Sequence, residues 1–281
     1  MFGQIITPLR NAACGLLDAA LPQTCAACGI WVPAGTPAVC PACDAALTRA
    51  WLRPYCPRCG RTLPTAAIHG HRCARCEHER YWNLAGVARV GLYDRPLRQL
   101  LVRLKYHGHE RNATPLADRL AQAMRGSGWL RDLDALVPVP MHWLRRLQRP
   151  CNHARVLSEA LSRRTGVPTR ALVRRVKYGR SQIGIETHAA RFENVRGCFA
   201  PARWGAGLVH GRTVCIVDNL MKSGATVTEV AKALRRAGAK RIYAAVAARP
   251  RSSNDPWSRA QNVEPVEAVA LQAGVSAHSA P

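Results

Sequence analysis

Carboxylates are scarce in this 281-residue chain: 17 Asp and Glu face 41 Lys and Arg, a net charge of +24. Lysine is scarcer still, with five residues (105, 177, 222, 232 and 240) against 36 arginines. Coding bias explains Arg over Lys but not the shortage of acids, so the excess favours a polyanionic partner, nucleic acid before a membrane surface. No window holds the roughly 20 uninterrupted apolar residues of a membrane span, which excludes membrane insertion by a helix. Residues 1–24 lack the continuous apolar stretch of a signal peptide. Their apolar positions, Phe2, Ile5, Ile6, Leu9, Leu16, Leu17 and Ala20, recur at helical spacing and predict an amphipathic helix packed on the protein. A cytoplasmic location follows, and twelve cysteines there point to metal rather than disulfides.

Eight of those cysteines fall in four Cys-x-x-Cys pairs: Cys25/Cys28, Cys40/Cys43, Cys56/Cys59 and Cys73/Cys76. Cys25-Ala-Ala-Cys28-Gly29 recurs 31 residues later as Cys56-Pro-Arg-Cys59-Gly60, and each knuckle is followed by a second pair. Two such turns complete a tetrahedral zinc site, and with four thiolates apiece the sites are structural rather than catalytic. The repeat favours sequential ligation over an interleaved one: Cys25, Cys28, Cys40 and Cys43 for one ion, and Cys56, Cys59, Cys73 and Cys76 for the other. Pro-rich and Gly-rich sequence between the pairs leaves little for a core of the segment's own. His69, His71 and His78 read as solvated side chains, and Cys14, Cys151, Cys198 and Cys215 as apolar fillers.

Beyond Cys76 the pattern changes to strands and helices in alternation. Strands are expected over 86–93, 133–139, 212–217 and 241–248, with helices over 95–106, 115–125, 152–165 and 225–237. The 152–165 helix has Asn152 as its cap and stops at Gly166 and Pro168. The continuous apolar run at 212–217 suits a strand buried on both faces of a parallel sheet, so the fold class is α/β with right-handed crossovers. The expected division is a helix over 1–24, a double zinc ribbon over 25–80, the α/β domain over 84–250 and a disordered tail over 251–281.

The apolar run at 212–217 leads into Asp218-Asn219-Leu-Met-Lys222-Ser223-Gly224-Ala225-Thr226. An acidic strand end followed by a turn that opens a helix offers backbone N–H groups and hydroxyls to a phosphate. The same pattern also describes a plain capped strand-to-helix turn. A third signal is charge: from Met141 to Gln182 eleven basic residues, Arg145, Arg146 and Arg149 among them, meet one acid, Glu159. Such a stretch can track a phosphate backbone, and Trp143 and Tyr178 within it can stack on unpaired bases of single-stranded DNA.

The segment from Val214 to Thr226 resembles the PRPP motif of phosphoribosyltransferases. Upstream, Asp134 to Pro140, Arg145-Arg146, Arg149-Pro-Cys-Asn152-His-Ala, Gln182 and Arg191 to Phe199 follow the order of the ComF family, as do Leu104-Lys105-Tyr106 and the cysteine pairs. The resemblance runs from about residue 10 to Arg249. It implies a phosphoribosyltransferase-like sheet flanked by helices, a role in DNA uptake beside other competence or DNA-processing proteins, and PRPP, with Mg²⁺ where PRPP binds. It also implies a PRPP and phosphate site at Asp218, Asn219, Lys222, Ser223, Gly224, Ala225 and Thr226. The candidate DNA contacts, Arg145, Arg146, Arg149 and Lys105, come instead from the basic charge, with Arg145 and Arg146 just past the Pro138-Val139-Pro140 strand end. Three positions depart from the pattern: the second acid is Asn219, the first loop Thr is Lys222, and the usual Arg-Gly-aromatic-Asn-Gln is Arg149-Pro150-Cys151-Asn152-His153. These changes fit a retained phosphate site better than efficient turnover. The competing expectations are an active Mg-dependent phosphoribosyltransferase of unnamed acceptor and a zinc-ribbon scaffold that docks proteins.

Overall fold

The computed structural model describes residues 23–250, except 34, 64–71, 75, 77–82, 108–109, 143, 145–150, 178–186 and 204. The tail expected over 251–281 lies outside the described residues, as does the helix expected over 1–24 save for its last two positions. Those two are not helical. They form β1 (Gln23–Thr24), which pairs antiparallel with β2 (Trp31–Val32) around the first cysteine knuckle.

The main sheet has four parallel strands in the order β3-β8-β7-β4, formed by β3 (Gly86–Leu92), β4 (Ala135–Pro138), β7 (Thr213–Leu220) and β8 (Arg241–Arg249). A small antiparallel pair, β5 (Val173–Arg175) and β6 (Phe199–Pro201), stands apart from it. The helices are α1 (Pro41–Trp51), α2 (Leu97–His107), α3 (Glu110–Gly126), α4 (His153–Thr165), α5 (His188–Val195), α6 (Ala206–Val209) and α7 (Ala225–Arg236).

Local chemistry accounts for most boundaries. Asn152 caps α4 through its side chain, accepting from the Ala154 N–H at 3.2 Å, and Gly166 ends it at φ 75°, with its N–H donating to the Ser162 carbonyl. The chain reads Pro115 as a helix start, because proline suits a first turn. Instead α3 begins at Glu110 and carries Pro115 inside. Strand β7 runs three residues beyond the expected 217, so Asp218 and Asn219 lie on the sheet rather than past it.

Alternation along the strands divides the interior into two cores, one per sheet face. Cys215 and Val217 of β7 and Ala245 and Ala247 of β8 pack with α2, α3 and α4, through Leu97, Leu104, Leu116 and Leu157. Val214, Ile216, Ala244 and Val246 pack on the other face with Val227, Val230 and Leu234 of α7. Each core also contains one half of the cysteine block. Cys25, Val32, Cys40, Cys43 and Leu47 belong to the first, and Cys56, Cys59, Cys73 and Leu84 to the second. The cysteine block, with little for a core of its own, thus completes both cores of the α/β domain. Of the remaining cysteines, Cys198 and Cys215 are buried, as fillers should be, and burial pushes the Cys215 thiol up.

Candidate zinc centres and phosphate loop

The eight cysteines form two groups of four, 25/28/40/43 and 56/59/73/76, in each of which all Sγ atoms lie within 4.8 Å of one another. Measured edges are 3.8 Å for Cys28–Cys40, 3.6 Å for Cys56–Cys76 and Cys73–Cys76, and 3.9 Å for Cys59–Cys73. A tetrahedron of Zn–S bonds of about 2.3 Å has edges of about 3.8 Å, so both groups fit zinc, and the ligation is sequential. Four crowded thiols cannot all ionise alone. Hydrogen bonding from neighbouring thiols pulls Cys25 and Cys56 far down while Cys43 and Cys76 are pushed up, a conflict that a divalent cation resolves.

The two knuckles repeat in backbone as well as sequence. Gly29 N–H donates to the Cys25 carbonyl at 3.0 Å and Gly60 N–H to the Cys56 carbonyl at 2.8 Å. Both glycines have positive φ, 87° and 71°, which L side chains rarely adopt. Each knuckle is also gripped by one arginine of the α/β domain. Arg103 of α2 donates to the Cys25 carbonyl at 2.7 Å, and Arg249 at the end of β8 donates to the Cys59 carbonyl. Neither arginine stands out in the sequence among 36. The one hint is position, since Arg249 closes the apolar run of β8.

At the carboxyl edge of the sheet, β7 ends in Asp218, Asn219 and Leu220, and the turn to α7 follows. The Met221 N–H donates to the Ala248 carbonyl at 3.0 Å, and the Lys222 carbonyl accepts from Arg249 Nη2 at 3.1 Å, so β8 holds the turn at two adjacent points. Gly224 stands at the helix N-cap with φ 82° and has no side chain to cap α7, and no acid sits in its first turn. Ser223 Oγ accepts weakly from the Ala225 N–H at 3.4 Å, and Thr226 is half-buried. The helix start thus places its N-terminal backbone donors at the sheet edge, with Ser223, Gly224 and Ala225 buried and Lys222 and Thr226 half-buried.

Asp218 is half-buried; burial raises its carboxyl to about 6, against the lowering pull of the Asn219 N–H, 2.7 Å from Oδ1, and of the Lys105 charge. Asn219 is 1% exposed, and neither Oδ1 nor Nδ2 has a partner among the described residues. The structure therefore groups Asp218, Asn219, Lys222, Ser223, Gly224, Ala225 and Thr226 at one sheet edge, with the Lys105 charge felt there.

Arg145, Arg146 and Arg149, with Trp143 and Tyr178, lie outside the described residues. Within the same basic stretch, Arg163, Arg164, Arg170, Arg174 and Lys177 are exposed. Part of the charge is internal or paired: Arg155 binds Glu159 at 2.7 Å, Arg164 binds Asp118 at 2.5 Å, and Arg175 lies 5.4 Å over the Phe199 ring. The motif residue Asp134 is at the opposite sheet edge, where it accepts from the Thr213 N–H and Arg212, each at 2.8 Å.

Comparison with known proteins follows the same division. The double zinc ribbon domain family matches residues 16–77 and the phosphoribosyl transferase domain family residues 150–272. Competence protein F of Haemophilus influenzae is 31% identical over 194 residues, 67% of this chain and 82% of its own. DNA utilization protein YhgH of Escherichia coli K12 is 30% identical over 229 residues, 79% of this chain and 95% of its own. A purine phosphoribosyltransferase from Pyrococcus horikoshii aligns over 48% of this chain and 70% of its own at 17% identity and a TM-score of 0.31, a likeness too loose to bear on the site.

Proposed function

This chain belongs to the ComF family, and from that premise we propose that it is an accessory protein of DNA uptake whose phosphate loop binds PRPP and whose basic stretch binds single-stranded DNA. The names of its relatives support the role in DNA handling. Among the described residues no helix is long and apolar enough to cross a membrane, in keeping with action on DNA away from the bilayer.

One observation carries the PRPP reading. A buried amide with neither atom satisfied is costly, roughly 1–3 kcal/mol, and native proteins keep few of them. Asn219 is such an amide, and it sits between the Asp218 carboxylate and the donors of the α7 N-terminus. In this reading the ribose hydroxyls meet Asp218 and the Asn219 amide, and the 5′-phosphate takes the backbone donors from Ser223 to Thr226. Lys222 adds a charge-assisted contact. Asp218 is the one carboxylate at the strand end, so Mg²⁺ arriving with PRPP would find a single acidic protein ligand there. For this reason we place the chain with binding proteins rather than efficient transferases.

Arg145, Arg146, Arg149 and Lys105 are the proposed DNA contacts. Arg145, Arg146 and Arg149 come after β4 in the sequence, and the Lys105 charge acts on Asp218 at the carboxyl edge, where ligands approach an open parallel sheet. Phosphate contacts carry no base information, so preference for sequence should be slight.

The test is a paired titration of zinc-loaded protein with PRPP and with single-stranded DNA. Asp218→Ala should weaken PRPP binding at least tenfold and leave DNA binding alone. Arg145→Ala with Arg146→Ala should do the reverse and flatten the salt dependence, by about 0.7 per lost phosphate contact on a log–log plot. PRPP affinity unmoved by Asp218→Ala would sink the loop assignment. Unchanged DNA affinity and slope in the double variant would leave the arginines as a solvated face. Multiple turnover with a nucleobase would replace the binding reading with an enzymatic one.

A further inference from the structure

We propose that Arg249 is a positioning residue through which the second zinc centre, and not the first, supports the phosphate loop. Its guanidinium bridges two segments distant in sequence: one nitrogen donates to the carbonyl of the ligand cysteine Cys59, the other to the carbonyl of Lys222 at 3.1 Å. The arginine is 4% exposed, so the two bonds are made out of water, where a planar fork with fixed donors transmits position better than a single flexible ammonium. Packing runs parallel to the bridge. Met221, the residue before Lys222, is 1% exposed in the same apolar cluster as Cys56, Cys59 and Cys73. Gly60 completes the fit, because a Cβ there would lie 2.9 Å from Val87 Cγ1 and 3.4 Å from Arg249 Cδ.

The first centre has the corresponding grip without the second arm. Arg103 donates to the Cys25 carbonyl and fills the space over Gly29, where a Cβ would stand 2.8 Å from its Nη2. The first ribbon's cysteines pack on the sheet face opposite the one that holds Met221. Metal loss from the second centre should free the Cys59 carbonyl and loosen the loop. Loss from the first should loosen α1 and the α2–α3 face instead. The functional weight of this coupling rests on the PRPP reading above; the coupling itself does not.

Amide hydrogen exchange on the full-length, zinc-loaded chain, with no ligand added, tests it through peptides covering 56–60, 213–217 and 221–226. Cys76→Ser and Arg249→Met should each speed exchange at 221–226 at least tenfold, with the interior of β7 at 213–217 within twofold of the parent. Cys28→Ser should leave 221–226 within twofold. Arg249→Lys keeps the charge but not the fork, and should behave like Arg249→Met. Gly29→Ala and Gly60→Ala repeat the contrast without touching a ligand, so the answer does not depend on any cysteine variant folding. Unchanged exchange at 221–226 when 56–60 has opened would overturn the assignment, as would equal acceleration from both centres. PRPP titration on the same samples separates the two ideas. Coupled exchange without PRPP binding removes the proposed ligand and keeps the bridge, whereas PRPP binding with exchange at 221–226 unmoved by Arg249→Met keeps the ligand and removes the bridge.

Discussion

The two zinc ribbons are near copies in sequence and in knuckle backbone, yet they serve opposite faces of one sheet. The first sends its second cysteine pair into α1, whose N-cap is Cys40 and whose first residue is Pro41, and buries Leu47 against α2 and α3. The second lies against Leu84 and Val87 and reaches the core under α7. Between them runs the short connection 52–54, flanked by Ala50 against Gly91 and by Pro57 on Val87, both along the edge strand β3. A local motif can fix the geometry of four thiolates while leaving its tertiary role to whichever surface it meets. Difference at that level comes from flanking residues: Arg103 and Ala50 on one side, Arg249 and Pro57 on the other.

The largest way to break the comparison is to remove metal from one ribbon at a time. Two zinc ions per chain are expected by elemental analysis, and Cys25→Ser or Cys56→Ser should each lower the count to one. Structural zinc contributes on the order of 10 kcal/mol in small modules, so either change should cost several kcal/mol and expose only its own face of the sheet. Dye binding with protection mapped to α2–α3 in one case and α7 in the other would verify it. Loss of both ions together would show the ribbons to be one unit.

Next in size are the arginine grips. A hydrogen bond from a charged donor to a buried carbonyl is worth about 1.5–3 kcal/mol, and leaving the carbonyl unsatisfied adds to the cost. Arg103→Met and Arg249→Met should each destabilise by about 2–4 kcal/mol in denaturant titrations. Similar losses with different exchange maps would sharpen the comparison; a negligible loss in either would make that grip ornamental.

Asp218 gives a smaller effect with the opposite sign. Its folded pKa, about 6, lies above the ordinary value, so the stability tied to its protonated form is present at low pH and lost as pH rises through 6. Asp218→Asn should therefore stabilise the protein by about 1–2 kcal/mol at pH 8, and by nothing below pH 4, in thermal melts across that range. Lys105→Met, which removes the cation that α2 brings from the first ribbon's face, should push the Asp218 carboxyl higher still and enlarge the gain.

The smallest effect belongs to the edge strand remote from both ribbons. The Thr213 N–H, and then Arg212, hold Asp134 below its usual range, so its contribution is present at neutral pH and fades as pH falls through the lowered value. Its partner Arg212 is 60% exposed and screened by solvent. Asp134→Asn should cost under about 1 kcal/mol at pH 7 and nothing in strong acid.

Much of this was legible in the residues. The spacing of the cysteines gives both ligand sets, the Asn152 and Gly166 signals give α4 nearly to the residue, and the apolar run before Asp218 gives the central strand. What was not legible depends on partners distant in the chain. The placement of the ribbons on opposite faces follows from strand order, which pairs β3 with β8 across more than 150 residues. Arg89, wholly buried on an edge strand with its guanidinium 4.8 Å over the Tyr55 ring, reads in the sequence as one more surface charge. Arg103 and Arg249 have the same ambiguity, so a charge count overstates the basic surface. Asp134 stands in a functional motif and performs a structural task.

All seven residues of β3 are buried, although β3 is an edge strand. Its open side is covered by the ribbons: the Pro57 carbonyl accepts from the Val87 N–H at 2.7 Å, and Ala50 of α1 would lie 3.0 Å from a Cβ on Gly91. Sheets ordinarily protect such an edge with charges, proline or a bulge, and Gly-Val-Ala-Arg-Val-Gly-Leu has only one charged residue. Zinc that holds the ribbons in place would therefore also keep this edge from pairing with a second copy. Chelation at micromolar protein concentration should turn the chain into aggregates nucleated by β3 pairing with its own copies, read as light scattering that grows with protein concentration.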